Sequence, residues 1–254
     1  MPSPKKAAGA RILSDCNGVG WTYDANLAEL RRRVAGPVRY YVIASIDASS
    51  DRFVQNGSAP NFAGGFITLC TCKHRMRTAH SAEDWVGQWV AGFTRKALGH
   101  QLVYLMRIGW AFDSHRDLGG SRVLPARTKH LKSAHINTNG DVFEYREGSP
   151  HSPASYEPPH PAHSHANPAS WHRDVGYRGR KRPAALLVGD PTATFIWTRP
   201  MITISEPPYR GHRGPLGAKA FLAKLCVDSV KLGRRVSRTK PSCGVSCVPK
   251  RGPC

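Results

Sequence analysis

Apolar and polar positions alternate along this chain in short blocks. Residues 24–36, DANLAELRRRVAG, place Leu27, Leu30 and Val34 on one helical face, with Asp24 as cap and Gly36-Pro37 as stop, and predict a short helix. VRYYVIASID (38–47) is rich in β-branched and aromatic residues and ends abruptly at Asp47, the pattern of a buried strand. After a loop rich in Ser, Asp, Asn, Gly and Pro, GFITLCTC (65–72) predicts a second strand. HRMRTAHSAED (74–84) has helical spacing with Met76 and Ala79 inward. DWVGQWVAGF (84–93) alternates bulky and small residues as a strand does, and LVYLMRIGWAF (102–112) is a further strand.

From 113 to 183 the pattern is lost among Pro, His, Ser, Gly and Arg. Such a composition buries too little apolar surface for a core of its own and predicts a long irregular insertion. Within it, NTNGDVFEYRE (137–147) is placed to turn as a hairpin at Asn139-Gly140. Apolar runs return in PAALLVGDP and TATFIWTRP (183–200), read as two strands or a strand and an edge, and AKAFLAKLCVDSVKLG (218–233) reads as a helix with Phe221, Leu222, Leu225, Cys226 and Val230 on one face. The fold class expected is α+β, a small curved sheet or PUA-like barrel with peripheral helices and a long irregular insertion. The expected division is a flexible leader (1–23), the α+β domain (24–200), a linker with a C-terminal helix (201–233) and a basic disordered tail (234–254).

Charge changes this picture from fold to partner. Lys and Arg total 37 against 17 Asp and Glu, a formal charge of +20, which points to a polyanion: nucleic acid, DNA before RNA, or a nucleotide. No apolar run reaches the roughly 18 residues of a membrane span, and the first residues lack the apolar core of a secretory signal. Seven scattered cysteines, an odd number, suit reduced thiols in a cytoplasm better than a disulfide scaffold.

Several constellations compete for the chemistry. Cys70 and Cys72 would share a strand face, but a zinc site prefers a C-x2-C pair and a second pair, and Cys243 and Cys247 offer only C-x3-C. His151, His160, His163, His165 and His172 crowd a Pro-rich stretch with no element to fix their geometry. No metal set is assigned, and the sequence names no cofactor. Phosphate-loop and dinucleotide glycine motifs are absent, and Cys-His or Ser-His-Asp catalysis has many possible members and no diagnostic spacing. The cluster Lys73, His74, Arg75, Arg77 and His80 is distinctive because it follows a strand and precedes Trp85 and Trp89. Arginines supply bidentate phosphate contacts and aromatic faces supply stacking platforms for a base.

These residues also carry a resemblance. YVIASIDAS, SAPNFAGGFITLCTCK, RMRTA, DWVGQW and LVYLMRI resemble the nucleotide modification associated domain 2 family, through Asp47, Ala59-Pro60-Asn61, Thr68-Leu69, Cys72-Lys73, Arg77, Asp84-Trp85 and the strand at 102–104. The similarity resumes in NTNGDVFEY, HANPASWHRDVGY and PAALLVGDPTATFIWTRP. His74 stands where the family tends to have Pro, and Glu83-Asp84 where it has Gly-Asp. The resemblance implies a context of DNA base modification; the order of elements is more distantly similar to EVE and other PUA-like domains. The expectation is a protein that recognises or processes a modified nucleobase. Lys73, Arg75 and Arg77 would hold phosphates, Trp85 or Trp89 would stack on the base, and Asp47 or Asn61 would bond its edge. Thr68 would also line the nucleotide pocket. If it is catalytic, Cys72, a thiol beside Lys73 and Arg75, is the candidate nucleophile, with Asp47 a second catalytic candidate. The alternatives are a transferase or hydrolase of modified nucleotides and a basic protein that binds through its tails.

Overall fold

A computed structural model of the chain describes residues 11–13, 16, 18–49, 52–179, 182–206 and 212–227. Two short strands, β1 (Arg11–Ile12) and β2 (Thr22–Tyr23), precede helix α1 (Leu27–Arg33). Leu13, Cys16 and Trp21, expected in a flexible leader, are buried in the core. Asn26, not Asp24, caps α1 by accepting the Glu29 N–H at 2.9 Å, because Asp24 is drawn to the backbone N–H of Thr198. The run 38–47 breaks into β3 (Pro37–Val42) and β4 (Ile46–Ser49), and β4 turns back on β5 (Arg52–Gln55).

Of the predicted strand 65–72 only β6 (Thr68–Leu69) pairs, since the Cys70 N–H goes to the Asp141 carboxylate and not to a neighbouring strand. Helix α2 (His74–Arg77) follows, and then the expected strand 84–93 divides into helix α3 (Ala82–Trp85) and β7 (Trp89–Phe93). Ser81 is the reason: its hydroxyl caps α3 at the Asp84 N–H. β8 (Leu102–Phe112) matches its predicted bounds. Helices α4 (His115–Gly120), α5 (Ala126–Lys132) and α6 (Pro168–Gly176) occupy the insertion, and the pair β9 (Arg178–Gly179) and β10 (Arg182–Pro183) closes it. The two strands expected in 183–200 are one, β11 (Leu186–Ile196), bulged around Gly189. β12 (Ile202–Ile204), β13 (His212–Gly217), helix α7 (Ala218–Leu222) and β14 (Leu225–Val227) complete the described chain. Of the predicted helix 218–233, residues 228–233 lie outside the described residues; within them it stops at Leu222, because Leu225–Val227 pairs with the edge of β12.

The fold is α+β, around a mixed sheet of order β13-β3-β7-β8-β11-β2 with β6 also on β11. It is curved and unclosed, with β13 and β2 at separate edges, so the barrel alternative does not apply. Consecutive tyrosines on β3 bury both faces. Tyr40 packs edge-on to Phe93 and against Phe221 of α7, while Tyr41 packs on Tyr104. Gly92 lies between Tyr41 and Tyr104 in register, and a Cβ there would stand 2.4 Å from the Tyr104 ring.

The insertion sets α4, α5 and α6 among long irregular segments, and it packs. Ala134, Phe143, Tyr156, Trp171 and Val175 form a cluster of their own, and Leu118, Leu124 and Val142 join Cys70, Leu186 and Val188 in another. Few apolar residues suffice because buried charges tie this layer to the sheet. Lys132, fully buried, donates to Asn61 O, Asn61 Oδ1, Phe66 O and Thr68 Oγ1. Asp141 accepts from Thr68 and Cys70, and Arg77 donates to the carbonyls of Ala184 and Ala185. The expected hairpin at Asn139-Gly140 is a turn, whose following N–H groups, Asp141 and Val142, both donate to the Lys132 carbonyl.

Candidate active site

The site starts where β6 gives way to α2. Cys72 and Lys73 have φ of 55° and 46°, a left-handed conformation that non-glycine residues adopt at a cost of roughly 1–3 kcal/mol and that recurs at functional sites. Both backbone groups of Cys72 are fixed by buried charged side chains. Its N–H donates to Asp174 Oδ1 at 3.0 Å, and its carbonyl accepts from Arg77 Nε at 2.9 Å. The turn thus presents the Cys72 thiol, half-buried and not in a disulfide, at a cleft of about 630 Å³.

Two imidazoles converge with it. His165 Nε2 lies 3.4 Å from Cys72 Sγ, and its Nδ1 bonds Asp174 Oδ2 at 2.5 Å. His74 Nε2 bonds the other carboxylate oxygen at 2.8 Å. Asp174 sits in α6, whose N-terminus is set by Asn167 accepting the Ala169 N–H and by Pro168 at the first turn. The loop carrying His165 is held by His163, which bonds the Gly140 carbonyl through Nε2 and the His165 N–H through Nδ1. One carboxylate therefore orients the sulfur-bearing turn, the imidazole facing the sulfur and a second imidazole. This is the geometry of a Cys-His-Asp triad: nucleophile, proton carrier and orienting acid.

The electrostatics agree with that ordering. The His165 pKa is raised to about 10, first by the bond to Asp174 and then by the bond to Cys72, so its ring carries a proton through neutral pH. Burial alone would raise the Asp174 carboxyl, but the bonds from His165 and His74 outweigh it and hold the group well below the usual carboxylate range. At His74 burial wins over the same carboxylate and lowers the pKa, leaving a neutral ring that donates to Asp174. Lys73 is likewise lowered by burial.

Asp174→Asn removes the carboxylate's charge and one of its two acceptor oxygens, and the His165 pKa should fall toward the ordinary value near 6.5, as followed by NMR titration. The stability difference should follow the linkage. His165, raised in the folded state, contributes fully below about pH 6.5 and loses that contribution as pH rises through about 10. Asp174, depressed, contributes above about pH 4 and loses it as pH falls. Wild type should exceed the variant most between about pH 4 and 6.5, with the gap closing on the alkaline side.

The expected site residues divide sharply. Cys72, Lys73 and Arg75 line the cleft, with His74, Arg173 and His212. Trp85 is fully buried with its indole N–H on the Arg77 carbonyl, and Trp89 is buried against Phe195, so neither offers a face to a base. Arg77, Asn61 and Thr68 are interior and bonded within the protein, which removes them from direct contact with phosphate or base edge. Asp47 lies on the surface, paired with Arg95 and Asn56, and lines neither the cleft nor its surroundings at Cys72. Sequence reasoning named His165 only within the histidine cluster, with no link to Cys72, and missed Asp174; they stand 93 and 102 residues from Cys72. The available signal was HANPASWHRDVGY, which contains both.

Among the described residues no group of three His, Cys, Asp or Glu is disposed to hold a metal ion; Cys243 and Cys247 lie outside them. No described helix is long and apolar enough to cross a membrane. No curated protein and no solved structure matches the chain significantly. Residues 53–117, which carry Cys72 and Lys73 but end before His165 and Asp174, match the family model described as nucleotide modification associated domain 2.

Proposed function

We propose that the protein is a cysteine-dependent hydrolase or transferase acting on a modified nucleotide, free or within nucleic acid, DNA before RNA. The observation that carries this reading is the contact of Cys72 Sγ with His165 Nε2, with His165 backed by a buried Asp174. It favours the enzyme over a pure base reader, because Trp85 and Trp89, the platform expected for a reader, are in the core. Cys72 forms a bond to the electrophilic carbon, and His165 passes its Nε2 proton to the leaving group. Water or an acceptor then breaks the sulfur–carbon bond, with His165 taking the incoming proton. Lys73, Arg75 and Arg173 hold the phosphate, and Asp174, the carboxylate of the cleft lining among the described residues, is already engaged by two histidines. A reducing cytoplasm suits a catalyst whose thiol must stay unoxidised.

The direct test is alkylation by iodoacetamide at neutral pH, with the modified position read by peptide mass. Cys72 should react first among the described cysteines, and His165→Ala should slow it by about tenfold or more. Equal rates in the two proteins would refute the assignment. Nucleotide binding is the second measurement. Affinity for a single-stranded oligonucleotide should fall with salt, and Arg75→Ala or Arg173→Ala should each reduce the logarithmic slope by roughly one phosphate contact.

A further inference from the structure

Cys72, Lys73 and His165 also line a second hollow, of about 420 Å³, which shares no other residue with the basic cleft. Its volume falls in the roughly 300–1,000 Å³ range of small-molecule sites. The walls come from residues 41, 43–45 and 56–59, with Leu69 and Ser164. Their character differs from that of the cleft. Beyond the three shared residues, the cleft is lined by Arg75, Arg173, His74 and His212, whereas among the described residues the hollow's lining adds no acid, no cation and no imidazole. Its polar groups are neutral. Ser45 Oγ donates to the Ala59 carbonyl, Ser164 Oγ to Ser58 Oγ, and the Tyr41 hydroxyl is paired with that of Tyr104. Counter-charge is confined to the shared mouth, where the Lys73 ammonium lies over the Tyr41 ring and His165 carries its proton; away from it a charged group would lose hydration uncompensated by any described charge, whereas an uncharged group meets hydroxyls and apolar wall.

We propose that this hollow is the subsite for an uncharged, carbonyl-bearing group of nucleobase size, while the substrate's phosphate occupies the basic cleft. The sulfur stands where the two meet. The substrate class is then a nucleotide whose uncharged part carries an amide or ester, and Cys72 attacks its carbonyl carbon. As the S–C bond forms, the carbon becomes tetrahedral; the C–N or C–O bond then breaks and the leaving atom takes the proton from His165 Nε2. Water next attacks the thioester, giving one proton to His165 and its hydroxyl to the acyl carbon. The S–C bond breaks, releasing a carboxylic acid and restoring the thiol–imidazole pair. The inference rests on the reading of Cys72 as nucleophile, and its test separates the two.

Cys72 is alkylated with two reagents that react by the same displacement: N-benzyliodoacetamide, bulky and uncharged, and iodoacetate, small and anionic. Two variants narrow the hollow from different segments, Ala44→Trp at an exposed position and Ser164→Leu. Each should slow the benzyl reagent by about tenfold while leaving iodoacetate within about twofold of wild type, as expected when one subsite is filled and the other left open. The unchanged iodoacetate rate also reports that the variant is folded. Equal effects on both reagents, or none on the benzyl reagent, overturn the neutral subsite while leaving the thiol nucleophile intact. If wild-type Cys72 reacts with neither reagent faster than it does in His165→Ala, the nucleophile assignment fails and the subsite falls with it.

Discussion

Cys72→Ala should lower the release of an acyl group from a 5′-monophosphate with an N-acylated base by roughly 10⁴-fold or more, the scale seen when a nucleophile of this kind is removed. The assay is chromatographic detection of the freed acid. Binding of the same nucleotide should change little, because Lys73, Arg75 and Arg173 keep their places in the cleft. The fold should survive as well. The Cys72 side chain is half-buried, and the turn is held through its backbone by Asp174 and Arg77, so the loss of one sulfur leaves those bonds intact. Stability should stay within about 1 kcal/mol of wild type. His165→Ala should cost nearly as much activity, and the double variant little more than either single one, since groups acting as a unit are not additive. Persistent turnover in Cys72→Ala would exclude the covalent route, and a parallel loss of nucleotide affinity would favour a base reader.

Lys132→Met should give the largest loss of stability, about 3–5 kcal/mol, the range for stripping one side from a buried charged network. In a domain of this size that corresponds to a fall in Tm of roughly 10 °C, measurable by thermal denaturation. The ammonium has no exposure and supplies hydrogen bonds to Asn61, Phe66 and Thr68. Methionine fills the volume but withdraws the ammonium's hydrogen bonds: Phe66 O loses its Lys132 donor, while Asn61 O and Oδ1 keep only the N–H groups of Thr68 and Ala63. It also removes the positive charge that opposes the burial of Asp141, whose pKa is already raised by desolvation. Asp141→Asn in the same chain should therefore recover part of the loss, and the recovery measured in a double-mutant cycle is the coupling between the two charges. A Lys132→Met protein as stable as wild type would show that packing alone secures the insertion to the sheet.

Local readings succeeded where the chain's own periodicity decided the outcome. β8 is an unbroken apolar run, and its boundaries coincide with the pattern; α1 carries Leu30 and Val34 inward as its spacing requires. The readings failed where a distant partner intervened. Leu225–Val227 has helical spacing but answers the free edge of β12, and Cys70, with strand propensity, gives its N–H to Asp141. The polar insertion packs because Lys132, Asp141 and Arg77 do work that composition assigns to apolar side chains. Trp85 and Trp89 could be platforms or core on local grounds alone; Arg39, His80 and Phe195, from three other segments, make them core.

By itself the sequence determined an α+β set of elements, a cationic excess from which an anionic partner is expected, and a thiol set among basic residues on a turn after a strand. Those follow from short-range periodicity and from charge, neither of which needs a fold to be counted. Tertiary structure alone decided which groups face the sulfur and which are sealed away. A triad is a meeting of residues whose separation along the chain carries no spacing rule, and burial depends on what covers a side chain rather than on what flanks it. That is why Cys72 was legible as a candidate, while His165, Asp174 and the uncharged hollow beside them were not.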